Sequence, residues 1–297
     1  MRKAVIDVGT NSTRLYVAEV GTAQKTILKK LETTRLGEGI GSSRTMGAVP
    51  LARTTDAIRD FFLDAKNAGV EDGQVYIYAT AVVREAENKS EFIRLVREKT
   101  GKIPEILPGD AEGRIAYRGA SIGYPGYGVI DIGGGSTEVV CGDGESIHAL
   151  SQKIGGVRLK EKFGMDDQVA IEPVRAWCET FLDAYKTTGI DRAKGLIGVS
   201  GTPTTLASLA QGSNVYRAEL VQGYALSRET MERELEKLAA MTGAERRAYS
   251  GEFAPRADII VYGGCMLSAF MRHFEFTEIV VSDRDSLEGY LEEKLRG

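Results

Sequence analysis

Two stretches of the chain share one pattern of apolar and polar positions. Residues 5–17 read VIDVGTNSTRLYV and residues 129–140 read VIDIGGGSTEVV. In each, an apolar run ends on an aspartate, a glycine turn follows with Ser-Thr, and a second apolar run begins. That is the pattern of two strands joined by a tight glycine turn. Laying Asp7 on Asp131, an offset of 124 (131 − 7), matches Val, Ile, Asp, Gly, Ser and Thr. The chain therefore reads as two similar halves facing each other.

Beyond the first hairpin the spacing predicts a third strand over 25–34 and a glycine-rich loop, RLGEGIGSSRTMG. A helix over 51–68 follows, with Ala57, Ile58, Phe61, Phe62 and Ala65 on one face and Gly69 as its stop. Next come a buried strand at 75–79, a helical stretch to Thr100 capped by Gly101, a strand at 103–107 and a helix over 110–122. The second half repeats the plan, with strands at 128–131, 137–141 and 145–150 and a helix in IGGVRLKEKFG. A long helix over 169–187 and a strand at 196–199 follow, and SGTPTTLASL turns that strand into a helix. Helices over 227–241 and 256–273, a strand at 278–281 and a helix over 286–295 complete the chain. Strands alternating with helices after a leading meander predict an α/β protein with helices on both faces of mixed sheets. The expected domains are 1–124 and 125–297, joined by a short hinge near 124–127, with the last helix able to return to the first domain.

Composition narrows the function. Apolar residues make up 42% and charged ones 27% of 297 residues, a globular balance with room for two cores. The net charge of −4 comes without a long basic run, which argues against nucleic acid as a partner. Cys141, Cys178 and Cys265 are scattered and read as reduced thiols, and no apolar run approaches a membrane span. The expectation is a cytoplasmic protein without a membrane partner, able to form a homodimer. With only two histidines, His148 and His273, zinc sites and Ser-His-Asp triads are nearly excluded.

The chemistry lies in the glycine turns. Successive N–H groups in such a turn form an anion-binding concavity, and phosphate is its usual occupant. Gly9, Thr10, Asn11 and Ser12, with Gly133, Gly134, Gly135, Ser136 and Thr137, are the candidate phosphate donors. Asp7 and Asp131 stand where a carboxylate would hold a metal ion bound to that phosphate.

With both hairpins placed, the chain resembles the exopolyphosphatase and guanosine pentaphosphate phosphohydrolase (Ppx/GppA) family, within the actin, sugar kinase and heat-shock chaperone ATPase superfamily. The likeness runs through DVGTNSTRL, RLGEG, ATAVVREAEN, PGDAEGRIAY, DIGGGSTEVV, IGGVRL, GVSGTPTTLA and EIVVSD in order. It implies two actin-like (ribonuclease-H-like) domains, each a mixed five-stranded sheet flanked by helices, around an interdomain cleft. It also implies processive release of terminal phosphate from a polyanionic chain with Mg2+, or Mn2+ in its place. Glu112 in PGDAEGR matches the glutamate to which the family assigns water activation, and Glu138 is the second candidate, for water or metal. Arg84 matches a phosphate-contacting arginine. Arg14, Lys153 and Arg158 extend the phosphate-binding lining, and Gly201 and Thr202 sit where superfamily ATPases hold a nucleoside.

The late blocks depart from the family. Gln222 stands in place of a histidine, and SDRDSLEG replaces a form in which glycine occupies position 285 and arginine position 287; Arg284 is displaced by three positions. The substrate expected is inorganic polyphosphate, with guanosine pentaphosphate as the alternative. An ATP-dependent sugar or acyl kinase and a catalytically weak nucleotide or polyphosphate sensor are the readings from other classes. A nucleotide substrate would want an aromatic base pocket, for which Tyr216, Tyr224 and Tyr262 are candidates.

Overall fold

Residues 1–21, 24–142, 146–164 and 166–296 are described by the computed structural model, the side chains of Gly41 and Ser42 excepted. In the first sheet β1 (Arg2–Val8), β2 (Thr13–Val20) and β3 (Gln24–Glu32) form an antiparallel meander. Strands β4 (Val75–Ala79) and β5 (Glu105–Ile106) continue in parallel on the other side of β1, giving the order β3-β2-β1-β4-β5. The second sheet repeats this with the meander β6 (Gly128–Ile132), β7 (Thr137–Gly142) and β8 (Ile147–Gln152), followed by parallel β9 (Leu196–Val199). It then differs from the five strands expected. Beyond β9 lies β11 (Glu278–Val281), and β10 (Tyr224–Ser227) adds a sixth, antiparallel strand at the edge. Central β1 and β6 are buried on both faces, which is why their apolar runs are nearly continuous.

Helices Ala48–Asn67 and Lys89–Thr100 cover one face of the first sheet, burying Ile58, Phe61, Phe62, Phe92 and Val96. The other face is covered by the last helix, Ser286–Arg296, whose Leu287, Tyr290 and Leu291 pack against Val5, Tyr16 and Tyr78. Helix Gly109–Ala120 precedes the expected boundary but lies on the second sheet, with Ala116, Tyr117 and Ala120 against Val129, Val140, Ile197 and Val199. Each of these two helices thus packs on the other half's sheet. Where they cross, a Cβ on Gly289 would stand 1.7 Å from the Ile115 carbonyl oxygen, and one on Gly119 1.9 Å from that of Asp285. The backbones touch, and only glycine fits.

Several helix boundaries differ from expectation. The helix over 169–187 is Ile171–Glu179 followed by 3-10 turns over Leu182–Thr188, where the Thr180 hydroxyl donates to the Trp177 carbonyl at 2.7 Å. The stretch ending at Thr100 breaks after Ala81–Glu85, because the Asn88 amide bonds Met46 N–H and C=O across the fold. The helix over 256–273 starts at Ile260, behind a 3-10 segment, Gly251–Arg256, that contains Pro255. Strand β8 begins at Ile147, and Glu145 lies outside the described residues. Among those residues no helix is long and apolar enough to cross a membrane.

Candidate active site

The two hairpins close in the same way. Gly9 N–H donates to Ser12 C=O at 2.9 Å, and Gly133 N–H to Ser136 C=O at 3.0 Å. The threonine after each serine is fully buried and tied to the third strand of its meander or just beyond it: Thr13 to Thr34 at 2.9 Å, Thr137 to the Ile154 carbonyl at 2.6 Å. The Thr137 hydroxyl is therefore spent inside the fold and does not line the cavity. The loops meet tip to tip, since a Cβ on Gly135 would lie 2.6 Å from Thr10 Oγ1 and one on Gly134 3.2 Å from Thr10 Cβ.

Between them opens a cavity of about 460 Å³. Asp7 and Asp131 both line it, together with Gly9, Thr10, Asn11, Ser12, Gly133, Gly134, Gly135, Ser136 and Glu112. Arg14 and the turn carrying Ser200, Gly201 and Thr202 complete this floor. Ser200 holds φ 66° where β9 turns into helix Gly201–Ala210, a conformation that costs a non-glycine residue on the order of 1 kcal/mol or more and tends to mark function.

The aspartates sit in unlike settings. Across the strand pair Asp7 faces Arg14, and across the equivalent pair Asp131 faces Glu138. Arg14 and Glu138 are themselves 124 positions apart (138 − 14), so one repeat position carries opposite charges. Arg14 donates to Asp7 Oδ2 from Nε at 2.9 Å and Nη2 at 2.6 Å, and also pairs with Asp285. Glu138 is buried and accepts from Ser151 at 2.6 Å. Burial, and then the Asp131 charge, push its carboxyl up toward neutrality. Burial does the same to Asp131. Glu112 rises well above the ordinary range, through burial and the charges of Glu138 and Asp131. Arg84 stands 3.4 Å from Glu112 and donates to the Leu107 carbonyl at 2.7 Å.

Not every expected residue reaches the cavity. Arg84, Glu138, Lys153 and Arg158 do not line it. Arg158 donates to Gly135 C=O at 2.6 Å and pairs with Glu85 at 2.8 Å, and exposed Lys153 meets the same Glu85 at 3.2 Å. Displaced Arg284 does not enter either, since its Nε donates to Gly119 C=O at 3.1 Å, and Gln222 accepts from Asp283 N–H at 3.0 Å. Of the three tyrosines only Tyr216 lines the cavity, edge-on to Phe253 with ring centres 6.3 Å apart; Tyr262 is core.

One residue escaped the sequence reading. Arg256 lines the cavity with no carboxylate of the described residues in ion-pairing range, and burial followed by the nearby Arg14 lowers its pKa to about 10. A Cβ on Gly201 would stand 1.8 Å from its Nη1, so glycine there makes room for the guanidinium. It lies in a 3-10 segment with no motif around it.

The donors suit a hard divalent cation, which takes carboxylate and water oxygens. Among the described residues Asp7 Oδ1 is buried with no partner at hydrogen-bond geometry, although the Tyr78 hydroxyl is near, while Oδ2 is held by Arg14, and Asp131 faces the same space. Among the described residues no cluster of three or more His, Cys, Asp or Glu has metal-binding geometry, so a cation here would keep water ligands.

The model of the Ppx/GppA phosphatase family matches residues 15–296. The chain belongs to that family. Exopolyphosphatase 2 of Mycobacterium tuberculosis is 29% identical over 313 residues, 97% of each protein. The crystal structure of an exopolyphosphatase from Cytophaga hutchinsonii matches with TM-score 0.89 and 28% identity, over 100% of this chain and 98% of that one. The guanosine-5′-triphosphate,3′-diphosphate pyrophosphatase of Photobacterium profundum is 31% identical over 223 residues, 70% of this chain and 44% of that protein. This Ppx/GppA member is a phosphoanhydride hydrolase with the actin-like fold.

Proposed function

We propose that the chain releases terminal orthophosphate, one unit after another, from inorganic polyphosphate, in a cleft between lobes 1–124 and 125–297. The observation that supports this most is a single cavity shared by two phosphate-type hairpins, each fronted by a buried aspartate. The N–H groups of the two loops receive the terminal phosphate oxygens. Glu112, whose burial among carboxylates makes it a stronger proton acceptor, takes a proton as the water oxygen bonds to the terminal phosphorus. The bridging P–O bond breaks and its electron pair leaves with the shortened chain. Arg84 orients Glu112, and Arg256 meets the next phosphates. Mg2+, or Mn2+ in its place, held by Asp7 Oδ1 and Asp131, would neutralise charge on the transferring oxygens. Glu138, held by Ser151, stands opposite Asp131 behind the cavity.

A second reading, guanosine pentaphosphate hydrolysis, draws support from the wall of Tyr216, Phe253, Pro255, Ile259 and Ile260, which could stack against a base. Phosphate release from long polyphosphate, tripolyphosphate and guanosine pentaphosphate, with and without Mg2+, orders the two, with Asp131→Ala as control. Release from guanosine pentaphosphate alone transfers the assignment to the second reading. Release from none of them overturns both.

A further inference from the structure

We infer that Asp285, at a position where the family pattern has glycine, is a positioning residue that commits Arg14 to Asp7 and leaves Asp7 Oδ1 free to take a divalent cation. This rests on the proposed cation-dependent reading of the same cavity. The sequence treats Arg14 as a phosphate ligand, but its guanidinium is fully engaged elsewhere. Nε and Nη2 hold Asp7 Oδ2, Nη1 pairs with Asp285, and Nη2 also donates to Ser286 Oγ at 3.0 Å. Asp285 is itself buried and fixed, with Oδ1 accepting Leu287 N–H at 3.0 Å and its own N–H donating to Glu288 at 3.0 Å. Glu288 in turn pairs with Lys29 at 2.6 Å, and Tyr78 donates to Ser286 at 3.0 Å.

Arg14 is shared between Asp7 and Asp285, with Lys29 as a second cation near Asp285, so it neutralises Asp7 less than it would in a simple pair. A guanidinium gripped from both sides also cannot swing toward a phosphate. The carboxylate at 285 therefore anchors Arg14 on Asp7 Oδ2 and leaves Oδ1 off the hydrogen-bond network. Apolar Leu287 seats the same turn in the packed layer against the first sheet.

The test measures Mn2+ binding directly, by the paramagnetic signal of the free ion, without substrate. Asp285→Asn keeps the shape and an oxygen for Leu287 N–H while removing the charge. Outer-shell substitutions of this kind weaken metal binding by about tenfold or more, and that loss is expected here. In an Asp7→Asn background the same change is expected to add nothing. Unaltered Mn2+ affinity in Asp285→Asn, or equal losses in both backgrounds, overturns the inference. Unaltered affinity in Asp7→Asn alone overturns the underlying cation reading instead, so the two failures are distinct. Should Asp285→Asn not fold, Ser286→Ala, which removes an acceptor from Arg14 without changing charge, is expected to weaken Mn2+ binding more mildly in the Asp7 background only. No effect in that variant counts against the inference.

Discussion

Placing a methyl group on Gly289 tests how the two halves are joined. The added Cβ would stand 1.7 Å from the Ile115 carbonyl oxygen, 2.7 Å from its carbon and 2.9 Å from Gly119 N. Ordinary contact begins near 3.4 Å. All three neighbours are main-chain atoms of helix Gly109–Ala120, so no rotamer change relieves the overlap, and the helices must separate by well over 1 Å. Overpacking a well-filled site costs about 1–3 kcal/mol, and rigid backbone puts this one at the upper end. At roughly 2–4 °C per kcal/mol for a chain this long, Gly289→Ala should lower Tm by about 6–12 °C. Separation also loosens the layer holding Ile115, Leu287, Tyr290 and Leu291, which includes Tyr78, the register neighbour of Asp7. Activity should therefore fall in the folded variant at 25 °C. Thermal unfolding followed by circular dichroism measures the first effect and phosphate release the second. Gly73→Ala, which meets nothing within 4 Å, serves as the control. A Gly289→Ala protein melting within a degree of the parent would refute the reasoning.

Other expectations concern the cavity and its rim. Glu112→Gln should bind substrate normally and lose about 10²–10⁴-fold in kcat, as the removal of a general base does; near-parental turnover excludes it from the chemistry. Arg256→Ala should raise KM for long polyphosphate more than for tripolyphosphate while Mn2+ binding stays unchanged, which steady-state kinetics on both substrates reads out. Asp258 joins the halves, pairing with Arg35 at 2.8 Å and Lys160 at 3.0 Å. Burial pushes its carboxyl up, but Lys160 and Arg35 outweigh burial and hold it below its ordinary value. A depressed carboxyl stabilises the fold at pH above its unfolded pKa of about 4 and loses that contribution as pH falls through the lower folded value. The Tm difference between the parent and Asp258→Asn should accordingly be steady from pH 5 to 8 and shrink toward zero in stronger acid; a difference that grows on acidification contradicts the assignment.

What the sequence made legible was whatever a short segment determines by itself. The paired hairpins were readable because an aspartate, a glycine turn and a buried threonine recur at one offset, and each hairpin closes through its own backbone. Partnerships were not. Arg14 meets Asp285 from 271 positions away and Arg158 meets Glu85 from 73, so nothing local marks either arginine as engaged. Arg256 was missed for the opposite reason, since a lone cation beside Pro255 looks like any solvated charge until the fold brings it into the cavity. Helix Gly243–Ser250 carries a local signal, the Thr242 and Glu245 capping box. Strand β10 has one fully buried position, Leu226, so it shows neither the apolar run that marks Leu196–Val199 nor an alternation.

The unlike residues at one repeat position carry a last consequence. Had both meanders kept the same residue opposite their aspartates, the twin loops would be interchangeable, and a phosphate chain could enter facing either way. With arginine opposite one aspartate and a buried glutamate pushed toward neutrality opposite the other, the two loops are not equivalent. On the proposed reaction, the attacking water would stand beside Glu112 and the departing chain would run toward Arg256. A duplicated fold is thereby made asymmetric by a single exchanged side chain.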